Sequence, residues 1–166
     1  CGALALDMNV ANKAAQAGIG GLSFLSGIPG TIGGALKMNA GAYGREVVNT
    51  LESLKALDRQ GDLLTLSVDD MHYSYRHSAP GQELLFVEAL FKGHAAAPDD
   101  LRAEIAEIKQ KRENSQPIKE KTGGSTFANP SAEELESAGL ATDWGAWRLI
   151  DAVGGRGHKI GGAQMS

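Results

Sequence analysis

The stretch Thr122-Gly123-Gly124-Ser125-Thr126-Phe127-Ala128-Asn129-Pro130 sets a small hydroxyl among glycines. Two glycines let the backbone come close to a ligand or take φ > 0 at little steric cost. Asn129 and Pro130 close the segment as a turn, and Ser131 opens a helix behind it. Ser125 held in this way could offer its Oγ to a bound molecule; a plain loop ahead of a helix is the competing reading of the same residues. A second reactive stretch is Tyr73-Ser74-Tyr75-Arg76-His77-Ser78, dense in hydroxyls, with one guanidinium and one imidazole. Arg76 could clamp a carboxylate bidentately or serve a structural salt bridge, and His77 reads as a satisfied or exposed histidine. Lys109, Lys111, Arg112, Lys119 and Lys121 put five cations within 13 residues ahead of Ser125. A phosphorylated substrate would find its counter-charge there, although bases near the end of a helix also complement its carbonyl end.

Glycine is in excess, 22 of 166 residues against an average share of about 7%, and eight of the 22 fall between Gly20 and Gly44. That segment is almost uncharged, with Lys37 as its one basic residue. Gly27, Gly30, Gly33, Gly34, Gly41 and Gly44 could leave backbone N–H groups turned toward an anion, as in the nests that hold phosphates. The spacing matches neither the dinucleotide fingerprint nor the P-loop. Close backbone packing and phosphate cradling therefore stand level as explanations.

The elements that must position these residues are legible in outline. Asp7 to Ala17 has Met8, Ala11, Ala14 and Ala15 at helical spacing, with Asp7 as N-cap and Gly18 as the C′ glycine. Val47 to Leu66 predicts a hairpin turning at Asp58-Arg59-Gln60-Gly61, and Leu84 to Lys92 a further strand, apolar enough to be central. Pro98 to Gln116 is the clearest helix, with Leu101, Ile105 and Ile108 at i, i+4 and i+7. Ser131 to Ala138 predicts a short helix with a Ser131/Glu134 capping box and Gly139 at its end. Asp143 to Val153 predicts another, with Trp147, Leu149 and Ile150 packed in the core, and His158 to Ala163 reads as a strand entering a further glycine site. The expected division is at residue 116, with 1–116 and 117–166 as two domains.

Composition excludes several classes. Charged residues are 22% and hydrophobic ones 42%, the balance of a globular protein and not of a disordered one. No apolar run approaches the ~20 residues of a membrane span. A net charge of −4 gives no electrostatic footprint for nucleic acid. One cysteine, Cys1, excludes an internal disulfide, no Cys/His spacing suits a metal, and a cytoplasmic location is the default. The chain begins without Met and stops at Gly161-Gly162-Ala163-Gln164-Met165-Ser166, which leads us to expect an internal piece of a longer polypeptide.

Five motifs in order carry a more specific message: Gly-Ile-Pro-Gly-Thr-Ile-Gly-Gly-Ala (27–35), Asn-Ala-Gly-Ala-Tyr-Gly (39–44), Ser-Tyr-Arg-His-Ser (74–78), Gly-Gly-Ser-Thr-Phe-Ala-Asn-Pro (123–130), and Trp-Arg-Leu-Ile-Asp (147–151) with Ile-Gly-Gly-Ala (160–163). Together they resemble the UDP-N-acetylenolpyruvoylglucosamine reductases, the MurB family of flavoenzymes in peptidoglycan precursor synthesis. The resemblance implies an α+β fold, with 1–116 as the second part of a vanillyl-alcohol-oxidase-type FAD-binding domain and 117–166 as the start of a substrate domain. It implies NADPH as the source of hydride, FAD as its carrier, and a UDP-sugar whose C3 takes the hydride while an enzyme acid protonates C2. Carried over by motif, Ser125 is the proton donor and Arg76 the active-site arginine. Gly27, Ile28, Pro29, Gly30, Thr31, Gly33, Gly34, Asn39, Gly41, Ala42 and Tyr43 would lie against FAD, and Arg112, Asn129 and Lys159 would contact the substrate.

The family's third catalytic residue, a glutamate near its C-terminus, has no counterpart here, and neither has its N-terminal flavin loop. The tyrosine-bearing insertion of one subgroup is absent as well. The piece alone is therefore expected to bind FAD poorly and to turn over nothing. The alternatives are another FAD oxidoreductase of the same fold, and a non-catalytic nucleotide-binding module; oligomeric state is not legible.

Overall fold

Alanines at 11, 14 and 15 form the buried face of the first helix, α1 (Asp7–Gln16), and their small side chains let the 3₁₀ turn Ser23–Gly27 come close. A computed structural model of the chain describes residues 1–115 and 126–165. Its residues group into two compact units, Cys1–Gln116 and Pro117–Ser166. Gly18 ends α1 with φ 69°, the left-handed C′ position that glycine fills without a Cβ penalty.

The start of α1 differs from expectation. Leu6 is the N-cap, and Asp7 stands inside the helix with no capping bond from its side chain. The cause is a neighbouring strand-like contact: Leu6 bridges Thr31 and the Asp7 N–H donates to Gly30 O at 3.1 Å, which draws the helix start one residue back and buries Asp7. Met8, expected on the packing face, is 47% exposed.

After α1 comes β1 (Ile19–Gly20), then the 3₁₀ turn, α2 (Ile32–Lys37), β2 (Gly41–Ala42) and β3 (Arg45–Glu46). The link between β2 and β3 is a two-residue loop, Tyr43-Gly44, with φ 55° and 79°, the paired positive values that match hairpin twist. The expected longer hairpin follows as β4 (Leu51–Leu57) and β5 (Leu63–Ser67). Asp58 Oδ1 fixes its turn by accepting the N–H groups of Gln60 and Asp62, both at 2.9 Å.

β6 (Leu85–Phe91) completes a three-stranded antiparallel sheet in the order β5-β4-β6. β4 is the central strand, pairing Leu54 with both Leu66 and Ala89. The expectation of a central β6 is therefore corrected. Its outer edge meets Cys1 to Ala3 through two backbone bonds of 2.8 Å and a third at 2.7 Å from the terminal ammonium of Cys1 to Ala89 O, and Leu85, Val87 and Leu90 are exposed. β7 (His94–Ala95) pairs with β1, and α3 (Pro98–Ser115) buries Leu101 and Ile108. Phe24, Leu25, Ile32, Leu36, Leu54 and Met71, each at most 2% exposed, form the centre of the core; each such side chain contributes about 1.5–3 kcal/mol by leaving water.

The second unit holds α4 (Ala132–Ser137), α5 (Ala146–Ala152), β8 (Lys159–Ile160) and β9 (Ala163–Gln164). The capping box forms as expected: Glu134 N–H donates to Ser131 Oγ at 3.2 Å, and Ser131 N–H to Glu134 Oε2 at 2.7 Å. α5 begins three residues later than Asp143, with Gly145 as N-cap, and Trp147 is 63% exposed, so it is not a core residue of this unit. The expected strand at 158–163 is instead a tight β8/β9 hairpin with Gly161 at φ 59°. Mixed helices and antiparallel strands make the fold α+β.

Candidate functional site

The structure separates the glycines of the 27–44 segment into two kinds. A Cβ on Gly27 would meet the Tyr43 ring at 2.5 Å, one on Gly41 would meet the Arg45 carbonyl at 2.9 Å, and one on Gly33 would meet Ala3 at 3.3 Å. These three are bare because the chain packs on itself there. Gly34 differs: it is exposed, and its nearest neighbour would be Thr31 Oγ1 at 3.9 Å. Alongside it, neither the Gly30 nor the Thr31 N–H enters a hydrogen bond among the described residues. Packing thus explains one half of the glycine pattern, and at Gly30, Thr31 and Gly34 it leaves a patch of backbone that the described residues do not cover. Ile28 is half-buried and donates its N–H to Leu25 O, Pro29 is exposed, and Ala42 is half-buried in β2.

Arg76 sits on a two-residue corner. Ser74 N–H donates to His77 O at 3.1 Å and His77 N–H to Ser74 O at 3.2 Å, which leaves Arg76 with φ 52°, a strained conformation for a residue with a Cβ. The corner is fastened to the glycine segment at two points. Asn39 Nδ2 donates to Ser74 O at 3.2 Å. Ser78 Oγ, buried, donates to Lys37 O at 2.8 Å, and Lys37 Nζ donates back to Ser78 O at 3.4 Å. Asn39 is itself 2% exposed; its amide also donates to Glu46 Oε2 at 2.8 Å and accepts from Val48 N–H at 3.0 Å. The Lys37/Ser78 and Asn39/Ser74 links are not legible in the sequence, because their partners lie 41 and 35 residues apart.

Among the described residues, two buried polar groups near this region lack partners: the Asp7 carboxylate, at both oxygens, and the Tyr73 hydroxyl. Asp7 lies beside the loop, since a Cβ on Gly30 would come within 3.2 Å of its Oδ2. Burial pushes its carboxyl up to about 6, and pushes the Tyr73 phenol above its usual range. Tyr43 closes the region on the other side, its hydroxyl donating to Ile108 O of α3 at 3.3 Å.

On α3, Lys111 pairs with Glu107 at 2.6 Å and Lys109 with Glu113 at 4.0 Å. Hydrogen bonding and charge between Glu107 and Lys111 hold the carboxyl low and the ammonium high. The basic run is therefore partly offset by acids on the same helix. Arg112 is half-buried. Ser125, with Lys119 and Lys121, lies outside the described residues.

Within the second unit, Asn129 Oδ1 accepts the Ala146 N–H at 3.0 Å, capping α5 from 17 residues away. Asn129, Phe127, Pro130, Glu134, Leu149 and Ile150 line an open, largely apolar cleft. Lys159 is exposed on β8. No group of three His, Cys, Asp or Glu among the described residues could hold a metal, and no described helix is long and apolar enough to cross a membrane.

Comparison with known proteins adds independent findings. Residues 116–166 match the family model described as UDP-N-acetylenolpyruvoylglucosamine reductase, C-terminal domain, and residues 6–67 match an FAD binding domain. A UDP-N-acetylenolpyruvoylglucosamine reductase of Rhodopseudomonas palustris (strain BisB5) is 51% identical over 165 residues, 99% of this chain and 50% of that protein. One from Paramagnetospirillum magneticum is 50% identical over the same share of each. The crystal structure of the reductase (MurB) from Thermus caldophilus superposes with a TM-score of 0.79 at 29% identity, covering 97% of this chain and 55% of that one. The chain spans about half the length of the curated relatives it matches.

Proposed function

We propose, for a chain that belongs to the UDP-N-acetylenolpyruvoylglucosamine reductase family, that the protein it represents reduces the enolpyruvyl group of that UDP-sugar with NADPH, using FAD as the hydride carrier. The observation that carries the reading is the double fastening of the Arg76 corner to the glycine segment. A carboxylate-binding cation and an uncovered backbone patch then belong to one rigid piece of the first unit.

The residues present suit a flavin dinucleotide. The Gly30 and Thr31 N–H groups and the bare surface of Gly34 offer neutral main-chain donors of the kind that cradles a diphosphate. Bound there, FAD would supply reversible hydride transfer, which no side chain of this protein can. The chain's own residues do the rest of the work. Arg76 binds the enolpyruvyl carboxylate and spreads the charge that develops as C3 is reduced. Ser125 gives its proton to C2; a hydroxyl is a weak acid in water, but it serves when the acceptor is an enolate-like carbanion and cations stabilise the alkoxide left behind. Arg112, Asn129 and Lys159 contact the substrate. Of these, Asn129 has its oxygen committed to α5, so its contact would be made by the amide nitrogen.

The test separates the two half-reactions in the full-length protein. NADPH should bleach the flavin absorbance and the UDP-sugar should restore it. Ser125→Ala should leave the bleaching intact and slow the restoration by about 100-fold or more, the scale of one general acid. Restoration at the unmodified rate would point to a different FAD oxidoreductase, and a protein without flavin absorbance to a nucleotide-binding module.

A further inference from the structure

We propose that Asn39 is a positioning residue for Arg76. The kinetic part of this inference rests on the reading of Arg76 as the carboxylate clamp; the structural part does not. Asn39 stands at φ 41° and is 2% exposed. Its two amide hydrogens go to different elements, one to the Glu46 carboxylate at 2.8 Å and one to the Ser74 carbonyl at 3.2 Å, while its oxygen takes the Val48 N–H at 3.0 Å. With both donors used inside the protein, this side chain has none to offer a ligand. What it does instead is hold the first residue of the Arg76 corner.

That corner needs holding. A non-glycine residue in the left-handed region relaxes unless its surroundings over-determine it, and the backbone of the corner closes on itself through the reciprocal Ser74 and His77 bonds. Ser78 anchors the far side through the Lys37 carbonyl. Asn39 anchors the near side, and it is in turn held by Glu46, whose N–H donates to Asn49 Oδ1 at 2.7 Å across the 3₁₀ turn Val47–Asn49. The chain of contacts runs Glu46, Asn39, Ser74, Arg76: a charge-assisted hydrogen bond stiffens the amide that fixes the corner, and the corner aims the guanidinium.

A pair of variants isolates the Ser74 bond. Asn39→Asp keeps size and the acceptor for Val48, but removes both donors and sets a carboxylate against Glu46. Adding Glu46→Gln restores that contact, because the new amide can donate to the new carboxylate, and leaves Ser74 O with the His77 N–H but without its bond from residue 39. In the full-length protein, the double variant should exchange the Ser74 and His77 amide hydrogens at least tenfold faster, with the amides of β4 unchanged. With the UDP-sugar, it should raise KM about tenfold and lower kcat, and this loss should vanish when Arg76 is already alanine. Unchanged exchange at Ser74 and His77 would overturn the anchoring, and a loss additive with Arg76→Ala would overturn the action through Arg76. If the unmodified protein failed to reduce the UDP-sugar, the function proposed for Arg76 would fall, while the exchange measurement would still decide whether Asn39 holds the corner.

Discussion

Gly27 and Tyr43 share one space: a Cβ on the glycine would lie 2.5 Å from the tyrosine ring, whose hydroxyl donates to Ile108 O in α3. Gly27→Ala must displace the ring and break that bond, and is expected to destabilise the first unit by about 1–3 kcal/mol, the usual range for overpacking. Gly34→Ala meets nothing closer than 3.9 Å inside the protein and lies in α2, where alanine is the better helix former; it should be neutral or stabilising by up to about 1 kcal/mol. Urea unfolding checks both. If the Gly34 surface receives a dinucleotide, the same stabilised variant binds FAD more weakly, measurable by flavin release on dilution.

Asp7 makes stability depend on pH with an unusual sign. Its folded carboxyl keeps its proton up to about 6, against an ordinary 3.8. Between those values the native chain binds more protons than the unfolded one, so stability is fullest below about 4 and falls as pH rises through 6. The full fall is on the order of 2–3 kcal/mol. The positive end of α1 returns about 0.3–1 kcal/mol of it at most. Asp7→Asn should flatten this part of the profile and be the more stable protein at pH 7; a slope that survived the substitution would place its origin in another group.

Arg76→Gly tests whether the strained corner is kept for the guanidinium. Glycine accepts φ 52° freely but adds entropy to the unfolded chain, and the two effects nearly cancel. The unfolding free energy should move by less than about 1 kcal/mol; if the proposed function holds, the full-length variant loses reduction of the UDP-sugar while NADPH still bleaches its flavin.

The second unit offers a simpler check. Ser131→Ala removes the cap of α4 and should destabilise that unit by about 1 kcal/mol, read as a lower thermal midpoint. Its capping partner Glu134 has its carboxyl held below the ordinary 4.5 by the Ser131 N–H and hydroxyl. That contribution is therefore present at neutral pH and lost as pH falls below the ordinary value.

What could be read from the sequence was whatever has a local cause. The α3 period, the Asp58 turn and the Ser131/Glu134 box each depend on residues within a few positions of one another, and all three form as expected. Asp7 read as a cap because its type fits one; a bridge from Leu6 to Thr31, 25 residues on, put it inside the helix instead. Trp147 read as core on its apolar character, yet stands mostly in water. The glycines of 27–44 could not be sorted from their spacing, since what separates Gly27 and Gly33 from Gly34 is the tyrosine at 43 and the alanine at 3. Arg76 was legible as chemistry, but its left-handed backbone and the amide of Asn39 behind it were not. The partner proposed for it, Ser125, lies outside the described residues.

The reciprocal clasp of Lys37 and Ser78 spans 41 residues, and an unstructured chain would lose roughly 3 kcal/mol of entropy in closing so long a loop. The clasp gains far more cheaply once the β2/β3 and β4/β5 hairpins have shortened the path between its ends. During synthesis, then, the Ser78 side of the guanidinium corner should settle only after these two hairpins. A nascent chain halted before residue 78 would have only the Asn39 side of the corner's two fastenings.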